Sequence, residues 1–470
     1  MVWPMEGRIA GFAGELIDPN HPAYDSQREI WNAMVDRRPA LIARCTSADD
    51  VVAALRHGRD AGLDIAVRCG GHGVLGLSVP DDGLMIDLAP MGAVRVDPQA
   101  RRAWVQGGSL LRNLDRATEP HGLATTAGNV SHTGVGGLTL GGGMGWLARQ
   151  FGMACDNVAT YTVVTADGGI LRASADENPD LFWGLRGGGG NFGIVTEFEF
   201  RLHPISHRVV TADFYFDPTE AAAKTALRAW RELLTDAPRE ATLTSDLMTA
   251  GAAPFLPTHL VGRSIVSVGF VWVGDVAEAR RYLAAFRAAV GGAVAEHVGE
   301  SSYLELQSAG DEGNRHGLRR YFAGHYLTDF SDAAIDAYLS RGLGAADSQP
   351  DWALMPNGGF QAYGGAIAEV PDDASAFSHR RALIEFGAGA TWLDPAEDAV
   401  RMGYARRWAQ ALAPFSSGVY VNAIGEAGED HVGRAYAANQ LTRLARLKAK
   451  YDPNNVFHFN QNIKPAAAAA

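Results

Sequence analysis

The first residues that could do chemistry form the segment Arg68–Gly76, which reads RCGGHGVLG. Glycines on both sides of His72 leave its imidazole unhindered and let backbone N–H groups approach a ligand closely. A tight turn with an exposed histidine fits the same spacing. The glycines also match the G-x-G-x-x-G fingerprint, but Pro80 and a predicted strand follow where a dinucleotide site needs a helix. The sequence therefore disfavours a nicotinamide cofactor.

Two further glycine-rich segments could hold an anion with backbone atoms alone. Eight glycines lie between Gly128 and Gly145, and Gly187–Gly193 repeats the pattern. Such segments are costly to order, and successive N–H groups in them can form nests that bind phosphate groups. A flexible loop is the alternative, although Leu138 and Trp146 are poor linker residues. The pattern favours a cofactor cradle.

Two segments near the end of the chain carry polar side chains that could face a substrate or a cofactor. Val419–Asn422 alternates apolar and polar residues around Tyr420, and Asn454–Ile463 is rich in amides. Tyrosine can exchange a proton, and amides both donate and accept hydrogen bonds, which suits the edge of a heterocycle. Each segment alone is more often a turn or a buried hydrogen-bonding site.

Composition narrows the class of protein. The chain has 470 residues, a net charge of −12 and 55 glycines, where average usage of about 7% predicts roughly 33. An acidic chain without a broad basic surface is not expected to bind nucleic acid. Cys45, Cys69 and Cys155 have neither metal-ligand nor disulfide-framework spacing. Because the sequence shows neither a long apolar run nor a signal-peptide pattern, we expect a cytoplasmic protein with no membrane partner. Its oligomeric state stays open.

The elements that must position these residues predict an α+β fold. Ser47 begins a capping-box type start to a helix, and a turn at 167–169 indicates a hairpin. Beyond residue 204, long strands alternate with helices, which is typical of a largely antiparallel sheet. Strands are predicted at 63–68, 83–88, 103–105, 158–166, 194–202, 209–216 and 264–273, and helices at 218–234, after Asp275 and at 430–450.

Taken together, the four segments resemble the berberine-bridge-enzyme-like flavoprotein oxidases, a branch of the vanillyl-alcohol-oxidase superfamily. The family pattern reads R-x-G-G-H, G-V-G-G-x-x-x-G-G-G-x-G, G-G-G-N-F-G-I-V-T and Y-D-P-x-N-x-F-x-x-N-Q-N-I. All four occur in order, at Arg68–His72, Gly134–Gly145, Gly188–Thr196 and Tyr451–Ile463. The resemblance covers nearly the whole chain. It implies an FAD-binding domain of the PCMH/VAO type at 1–205, completed by 416–470, with a substrate domain on an antiparallel sheet flanked by helices at 206–415.

The resemblance also implies roles for single residues. His72 is similar to the histidine that is bound covalently to the flavin 8α-methyl group. Many members add a cysteinyl link three residues before the T/V-G-V-G-G segment; that position is Val130 here, so no second link is expected. Thr133 matches a position beside flavin C4a where small residues leave room for oxygen. Tyr420 matches the tyrosine that serves as, or assists, the catalytic base, and Glu369 lies near a region that supplies substrate-facing polar groups.

The predicted cofactor contacts follow the same motifs. A tyrosine with an ordinary pKa near 10 needs a nearby cation or the flavin edge to act as a base near neutrality. Together, the glycine pattern and the resemblance predict as cofactor-binding residues Arg68, Gly70, Gly71, His72, Gly73, Ser78, Gly128, Thr133, Gly134, Gly137, Leu138, Gly141, Gly142, Gly143, Trp146, Asn191, Gly193, Val195, Tyr420, Asn422, Asn460 and Asn462.

The function that the resemblance implies is an FAD-dependent oxidase with one histidyl-linked flavin. Tyr420 would deprotonate an alcohol, an amine or an activated C–H while a hydride passes to flavin N5, and O2 would be reduced to H2O2. The alternatives are a dehydrogenase or flavin-oxygenating enzyme, and a non-catalytic flavoprotein that sequesters a small molecule. The sequence does not name the substrate, because Tyr303, Tyr321, Phe360 and Trp392 fit either a pocket or the core.

Overall fold

The first 200 residues form two sheets around the glycine-rich segments. The computed structural model describes residues 9–219, 221–344, 350–426 and 428–467, so the extreme N-terminus used in the localisation argument lies outside it. The four-stranded sheet has the order β1-β2-β4-β3, with β2, β4 and β3 parallel. Its strands are Glu15–Ile17 (β1), Leu41–Arg44 (β2), Ile65–Arg68 (β3) and Leu84–Asp87 (β4).

The second sheet is antiparallel and has the order β5-β6-β10-β8-β9. The predicted turn at 167–169 joins β8 to β9, which confirms the hairpin. A short ribbon of β7 and β11 lies beside it. These strands are Val94–Asp97 (β5), Arg102–Gln106 (β6), Leu123–Ala124 (β7), Val158–Val164 (β8), Ile170–Ser174 (β9), Ile194–Arg201 (β10) and His203–Pro204 (β11).

Short helices connect these strands. The predicted cap is confirmed at Ser47, whose hydroxyl accepts a hydrogen bond from the Asp50 N–H at 3.1 Å and starts α2. The helices of this half are Tyr24–Arg28 (α1), Ala48–Asp60 (α2), Leu111–Thr118 (α3), Val135–Leu140 (α4), Ala148–Phe151 (α5) and Pro179–Leu185 (α6).

An antiparallel eight-stranded sheet dominates the rest of the chain, in the order β15-β12-β14-β13-β17-β18-β16-β19. The chain passes from the second sheet to this sheet between Arg201 and Arg208, and the last strand of the sheet begins after residue 415. The domain boundaries themselves stay a prediction. The strands are Arg208–Phe216 (β12), Ala241–Thr249 (β13), Ser264–Val273 (β14), Ala295–Ser302 (β15), Arg319–Leu327 (β16), Asn357–Ala362 (β17), Ile384–Trp392 (β18) and Ser416–Gly418 (β19).

Helices cover one face of this sheet and leave the other face to a cavity. Trp230, Phe286, Ile335 and Trp408 pack on the covered face, together with Phe360 and Trp392. Trp392 is therefore a core residue, whereas Phe360 belongs to the core and also lines the cavity. Period-two alternation places the neighbours of these strand residues on the open face. The covering helices are Ala221–Asp236 (α7), Val276–Val290 (α8), Asp332–Leu339 (α10) and Asp398–Leu412 (α12). Two short helices, Tyr303–Ser308 (α9) and Ala366–Glu369 (α11), lie outside this layer.

The C-terminal helix predicted at 430–450 is two helices, Glu429–Ala435 (α13) and Ala438–Tyr451 (α14). The prediction of one continuous helix is wrong because Tyr436 takes an extended conformation, with φ −128° and ψ 143°. Its buried hydroxyl donates to the Gly187 carbonyl at 3.0 Å. The break thus fastens the C-terminal segment to the third glycine-rich segment. Among the described residues, no helix is long and apolar enough to cross a membrane.

Lys448 anchors the amide-rich C-terminal motif. Its fully buried ammonium donates to the Asn191 and Phe457 carbonyls at 2.9 and 2.8 Å and pairs with buried Asp452 at 2.7 Å. We expect Lys448→Met to lower the free energy of unfolding by about 3–5 kcal/mol, because it leaves a buried carboxylate unpaired. Urea titration followed by tryptophan fluorescence measures this loss.

The matched control is Lys450→Met, which removes a cation two residues away on the surface. Lys450 pairs with Asp180 at 2.5 Å, but its side chain is 58% exposed. Its replacement should change the free energy of unfolding by about 0–1 kcal/mol. Equal losses in both variants would contradict the anchoring role of Lys448.

Candidate active site

A cavity of about 1150 Å³ separates the glycine-rich segments from the open face of the eight-stranded sheet. All four motif segments contribute lining residues, among them Gly70, Gly134, Gly189 and Asn460. The sheet contributes side chains of β13, β17 and β18. One wall is therefore largely backbone, and the opposite wall carries side chains.

His72 lies at one end of this cavity. Trp31 stacks on its ring with a centroid distance of 4.1 Å and an interplanar angle of 17°, and the His132 ring is 5.1 Å away. The buried Nε2 of His72 has no hydrogen-bond partner among the described residues. Burial, aided by His132, His316 and Arg320, lowers the pKa of His72 to about 3. The imidazole is therefore neutral near pH 7 and has a free lone pair.

The backbone wall has room for a ligand against it. A Cβ atom built on Gly73, Gly137 or Gly190 would meet no atom within 4 Å, and all three residues line the cavity. The buried Ser78 hydroxyl and the Asn460 carbonyl oxygen have no hydrogen-bond partner within the described ranges. Leaving such a group unpaired costs about 1–3 kcal/mol, so a polar ligand on this wall would be stabilised by them.

Most of the residues predicted to contact a cofactor line this one cavity. The first and last of them, Gly70 and Asn460, are 390 residues apart in the sequence, so the fold has to bring them together. The lining residues from that set are Gly70, Gly71, His72, Gly73, Ser78, Gly128, Thr133, Gly134, Gly137, Leu138, Trp146, Gly193, Val195, Tyr420, Asn422 and Asn460.

The central glycines of the second motif pack against protein instead. A Cβ atom on Gly141 would come within 2.1 Å of the Asn422 Oδ1 atom. A Cβ atom on Gly142 would stand 2.6 Å from the Phe377 ring, and one on Gly143 would stand 2.4 Å from the Ala154 Cβ atom. These three glycines permit close packing, and none of them lines the cavity.

Arg68, Asn191 and Asn462 also lie outside the cavity lining. Arg68 pairs with buried Asp87 at 2.8 Å and so holds the end of β3 beside β4. The Asn191 Oδ1 atom accepts a hydrogen bond from the Ile463 N–H at 2.9 Å, which fixes the C-terminal motif. The Asn462 Oδ1 atom is buried without a partner among the described residues. Arg68 and Asn191 therefore position the backbone wall of the cavity.

Tyr420 faces the cavity from the segment after β19. Its hydroxyl oxygen accepts hydrogen bonds from the Gly143 N–H at 2.8 Å and from the Asn422 side-chain amide at 3.0 Å. Burial raises the pKa of Tyr420 well above its usual value, and nearby Glu385 raises it further, against the effect of the two donors. With both lone pairs engaged, the hydroxyl can direct its proton into the cavity.

Glu385 on β18 is a cavity carboxylate that the sequence arguments missed. It accepts a hydrogen bond from the Tyr363 hydroxyl at 2.9 Å, and Tyr363 contacts the Tyr326 hydroxyl at 3.2 Å. Burial raises the pKa of Glu385 to about 7. The available signal was its position in IEFGAGATW, where one acid alternates with glycines on the face opposite Ile384 and Phe386.

Glu369 ends α11 on the surface, where it pairs with Arg239. Its carboxylate is not part of the cavity lining, because α11 packs on α5 outside the sheet. We therefore leave Glu369 out of the substrate-facing set. Val130 does line the cavity, and the free cysteine in that lining is Cys69, whose pKa burial raises to about 11.

Two family models match this chain. The model described as an FAD binding domain matches residues 39–174, and the one described as berberine and berberine like matches residues 419–464. (R)-6-hydroxynicotine oxidase from Paenarthrobacter nicotinovorans is 30% identical over 477 residues, which cover 96% of this chain and 97% of that protein.

Solved structures agree with this similarity. The 6-hydroxy-D-nicotine oxidase of Arthrobacter nicotinovorans superposes with a TM-score of 0.83 at 27% identity and covers 98% of this chain and 100% of its own. Glucooligosaccharide oxidase from Acremonium strictum, described with a 6-S-cysteinyl, 8α-N1-histidyl FAD, gives a TM-score of 0.83 at 25% identity, with 97% and 98% coverage. The α+β fold with an antiparallel sheet is thereby confirmed.

Proposed function

Because the chain belongs to the berberine-bridge-enzyme-like FAD-linked oxidoreductases, we propose that it is an oxidase with a single histidyl-linked FAD. The observation that carries the proposal is the pairing of two walls across one cavity. A backbone wall ends at neutral His72, and a side-chain wall presents Tyr420 and Glu385. A flavin held on the first wall would present its reactive edge to the second.

The residues of the backbone wall fit FAD. Gly73, Gly137 and Gly190 leave room for a flat ligand, and unpartnered Ser78 and Asn460 offer hydrogen bonds to its polar atoms. The acidic chain can hold a diphosphate in this way because backbone N–H groups replace basic side chains. Loop backbone with few side chains thus supports a bound dinucleotide.

We propose that His72 carries the flavin and that no second residue does. A neutral imidazole with an unpartnered Nε2 is a competent nucleophile, and burial keeps His72 in that state. Val130 occupies the position where many relatives have a cysteine. The Cys69 thiol stays protonated near pH 7, because burial raises its pKa to about 11.

Glu385 and Tyr420, which both face the cavity, would have different roles in proton transfer. Bound FAD would supply the redox step, accepting a hydride from an alcohol, amine or activated C–H and passing two electrons to O2 to give H2O2. Glu385, with a pKa of about 7, is the better terminal proton acceptor. Tyr420 stays protonated near neutrality and orients the substrate heteroatom through its hydroxyl. This orienting role of Tyr420 replaces the expectation that Tyr420 alone is the base.

A peroxide-coupled screen of the purified holoprotein tests the proposed function. Alcohols, amines, sugars and phenolic substrates are offered in air, and hits are repeated anaerobically with the flavin spectrum recorded. Substrate-dependent bleaching followed by rapid recovery in air, with one H2O2 per turnover, is the expected result. Very slow recovery would indicate a dehydrogenase, and a ligand that binds without bleaching would indicate sequestration.

The rate of flavin reduction is expected to rise with pH through about 7 and then level off. Below that pH, Glu385 is protonated because burial raises its pKa, so it cannot accept the substrate proton; above it, the carboxylate is ionised. Glu385→Gln should lower the plateau by about 10²-fold or more and remove this limb. Anaerobic stopped-flow traces from pH 5.5 to 9 measure both effects. An unchanged limb in the variant would exclude Glu385 as its source.

A further inference from the structure

Asp246 is a carboxylate in the cavity that the oxidase chemistry does not use. It lies on the open face of β13, directly opposite Gly359 of β17. Its Oδ1 atom is 2.6 Å from the point where a Cβ of Gly359 would stand, so the side chain leans over the glycine toward β17. No described residue donates a hydrogen bond to Asp246 or forms an ion pair with it.

A second carboxylate lies on the same sheet but outside the cavity lining. Asp213 of β12 is opposite Gly269 of β14, and its Oδ1 atom is 2.6 Å from the built Cβ of that glycine, on the side of β13. Burial, with a contribution from Asp213, raises the pKa of Asp246 to about 7, and burial raises that of Asp213 to about 6. His297, opposite Asp213 on β15, acts in the other direction. Asp213 and Asp246 are separated by two strands and two residues along the sheet, about 12 Å between Cα atoms, and the Asp246 side chain is exposed to the cavity.

The cations that reach the cavity are engaged elsewhere. Arg401 pairs with Glu397 and donates to the Ala353 carbonyl at 2.8 Å. Arg320 donates to the Arg315 carbonyl at 2.6 Å and stacks over Trp31. A ligand that fills this part of the cavity would displace water from the Asp246 carboxylate, and a cation on that ligand would offset the cost.

The neighbouring side chains make this a ligand site and not a metal site. Gln361 of β17 also lines the cavity, and its buried Nε2 has no partner within the described ranges, although its Oε1 accepts from Asn129 at 2.9 Å. An unpaired amide donor calls for an acceptor atom on the ligand. Across the described residues, no group of three or more His, Cys, Asp or Glu side chains could hold a metal ion.

We propose that Asp246 binds the protonated amine of a cationic substrate, at a distance from the reacting atoms. This rests on the proposed oxidase function and names the substrate class for the same site. Asp246 and Glu385 are separated by two strands and two residues along the sheet. That is about 12 Å between Cα atoms. The substrate is therefore an elongated molecule with an ammonium group at one end and the oxidised carbon at the other.

Calorimetric titration of the holoprotein at pH 8 tests this assignment. The probes are ω-phenylalkylamines with four to six methylene groups, each paired with the primary alcohol of the same length. Both carboxyls are ionised at this pH, and the amines are protonated. We expect amines to bind at least 10-fold more tightly than their alcohols, and Asp246→Asn to remove that preference while changing alcohol affinity less than 2-fold. Asp213→Asn should keep the preference, because Asp213 is not part of the cavity lining.

Asp60→Asn is the matched control, because it removes one carboxylate at the exposed end of α2 and should leave the preference unchanged. The flavin spectrum and unfolding midpoint of each variant establish that it is folded. No amine preference in the wild type, or a preference that survives Asp246→Asn, would overturn the assignment. Calorimetry detects binding without turnover, so a failed peroxide screen would refute the oxidase proposal and leave this result standing on its own.

Discussion

Replacing Tyr420 by phenylalanine is expected to lower the rate of flavin reduction by about 10²–10⁴-fold. The ring would stay in place, because it packs in the core beside Tyr326 and Phe377. The variant would lose the hydroxyl that the Gly143 N–H holds at 2.8 Å and Asn422 at 3.0 Å. Anaerobic stopped-flow measurement with the best substrate of the peroxide screen gives this rate directly.

Tyr436→Phe is the control for the loss of a buried tyrosine hydroxyl. Tyr436 donates to the Gly187 carbonyl at 3.0 Å and is not part of the cavity lining. Its replacement should reduce stability by about 1 kcal/mol and leave flavin reduction within a factor of two. A Tyr420→Phe enzyme that keeps more than a third of the wild-type rate would contradict the positioning role.

The double variant Tyr420→Phe/Glu385→Gln shows whether the two groups act as one unit. Glu385 raises the pKa of Tyr420 through its charge, so the two side chains interact in the resting protein. If Tyr420 positions the atom whose proton Glu385 receives, removal of both should cost little more than removal of one. Fully multiplicative losses would mean that the two residues serve separate steps.

The glycine motifs predicted the cradle but not the task of each glycine. Gly137 and Gly141 are four residues apart in one motif and look equivalent in the sequence. Gly137 faces open cavity, whereas a Cβ on Gly141 would stand 2.1 Å from Asn422, a residue 281 positions later. Only the return of the C-terminal segment distinguishes them. The local pattern therefore predicted which backbone is exposed. Long-range packing decided whether that backbone faces the cavity or another residue.

The side-chain wall was harder to predict because strand pairing decides which acids meet. Glu369 and Glu385 are near each other in sequence, but one ends a surface helix and the other lies on the open face of β18. Asp246 and Glu385 share that face only because β17 pairs with both β13 and β18. Alternation within each strand shows two faces, and the burial of Leu243 and Phe386 under helices shows which one is open.

Replacing His72 by alanine is expected to abolish the covalent attachment of the flavin. After acid precipitation, wild-type protein should keep its flavin in the pellet, and the variant should release it all into the supernatant. The variant should still bind FAD reversibly, because Gly73, Gly137, Gly190, Ser78 and Asn460 all remain. Fluorescence of the denatured band and absorbance of the supernatant measure the two fractions.

His132→Ala provides the control, since its ring lies 5.1 Å from that of His72 and is also buried with unpartnered nitrogens among the described residues. It should keep the link, because Trp31 and not His132 stacks on the His72 ring. Wild-type protein that releases all its flavin in acid would refute the covalent link. A link that survives His72→Ala would have to use another nucleophile, and Cys69→Ser in that background would identify the thiol. We expect no such link, since a thiol whose pKa is about 11 is almost wholly protonated at pH 7 and His72 is almost wholly neutral.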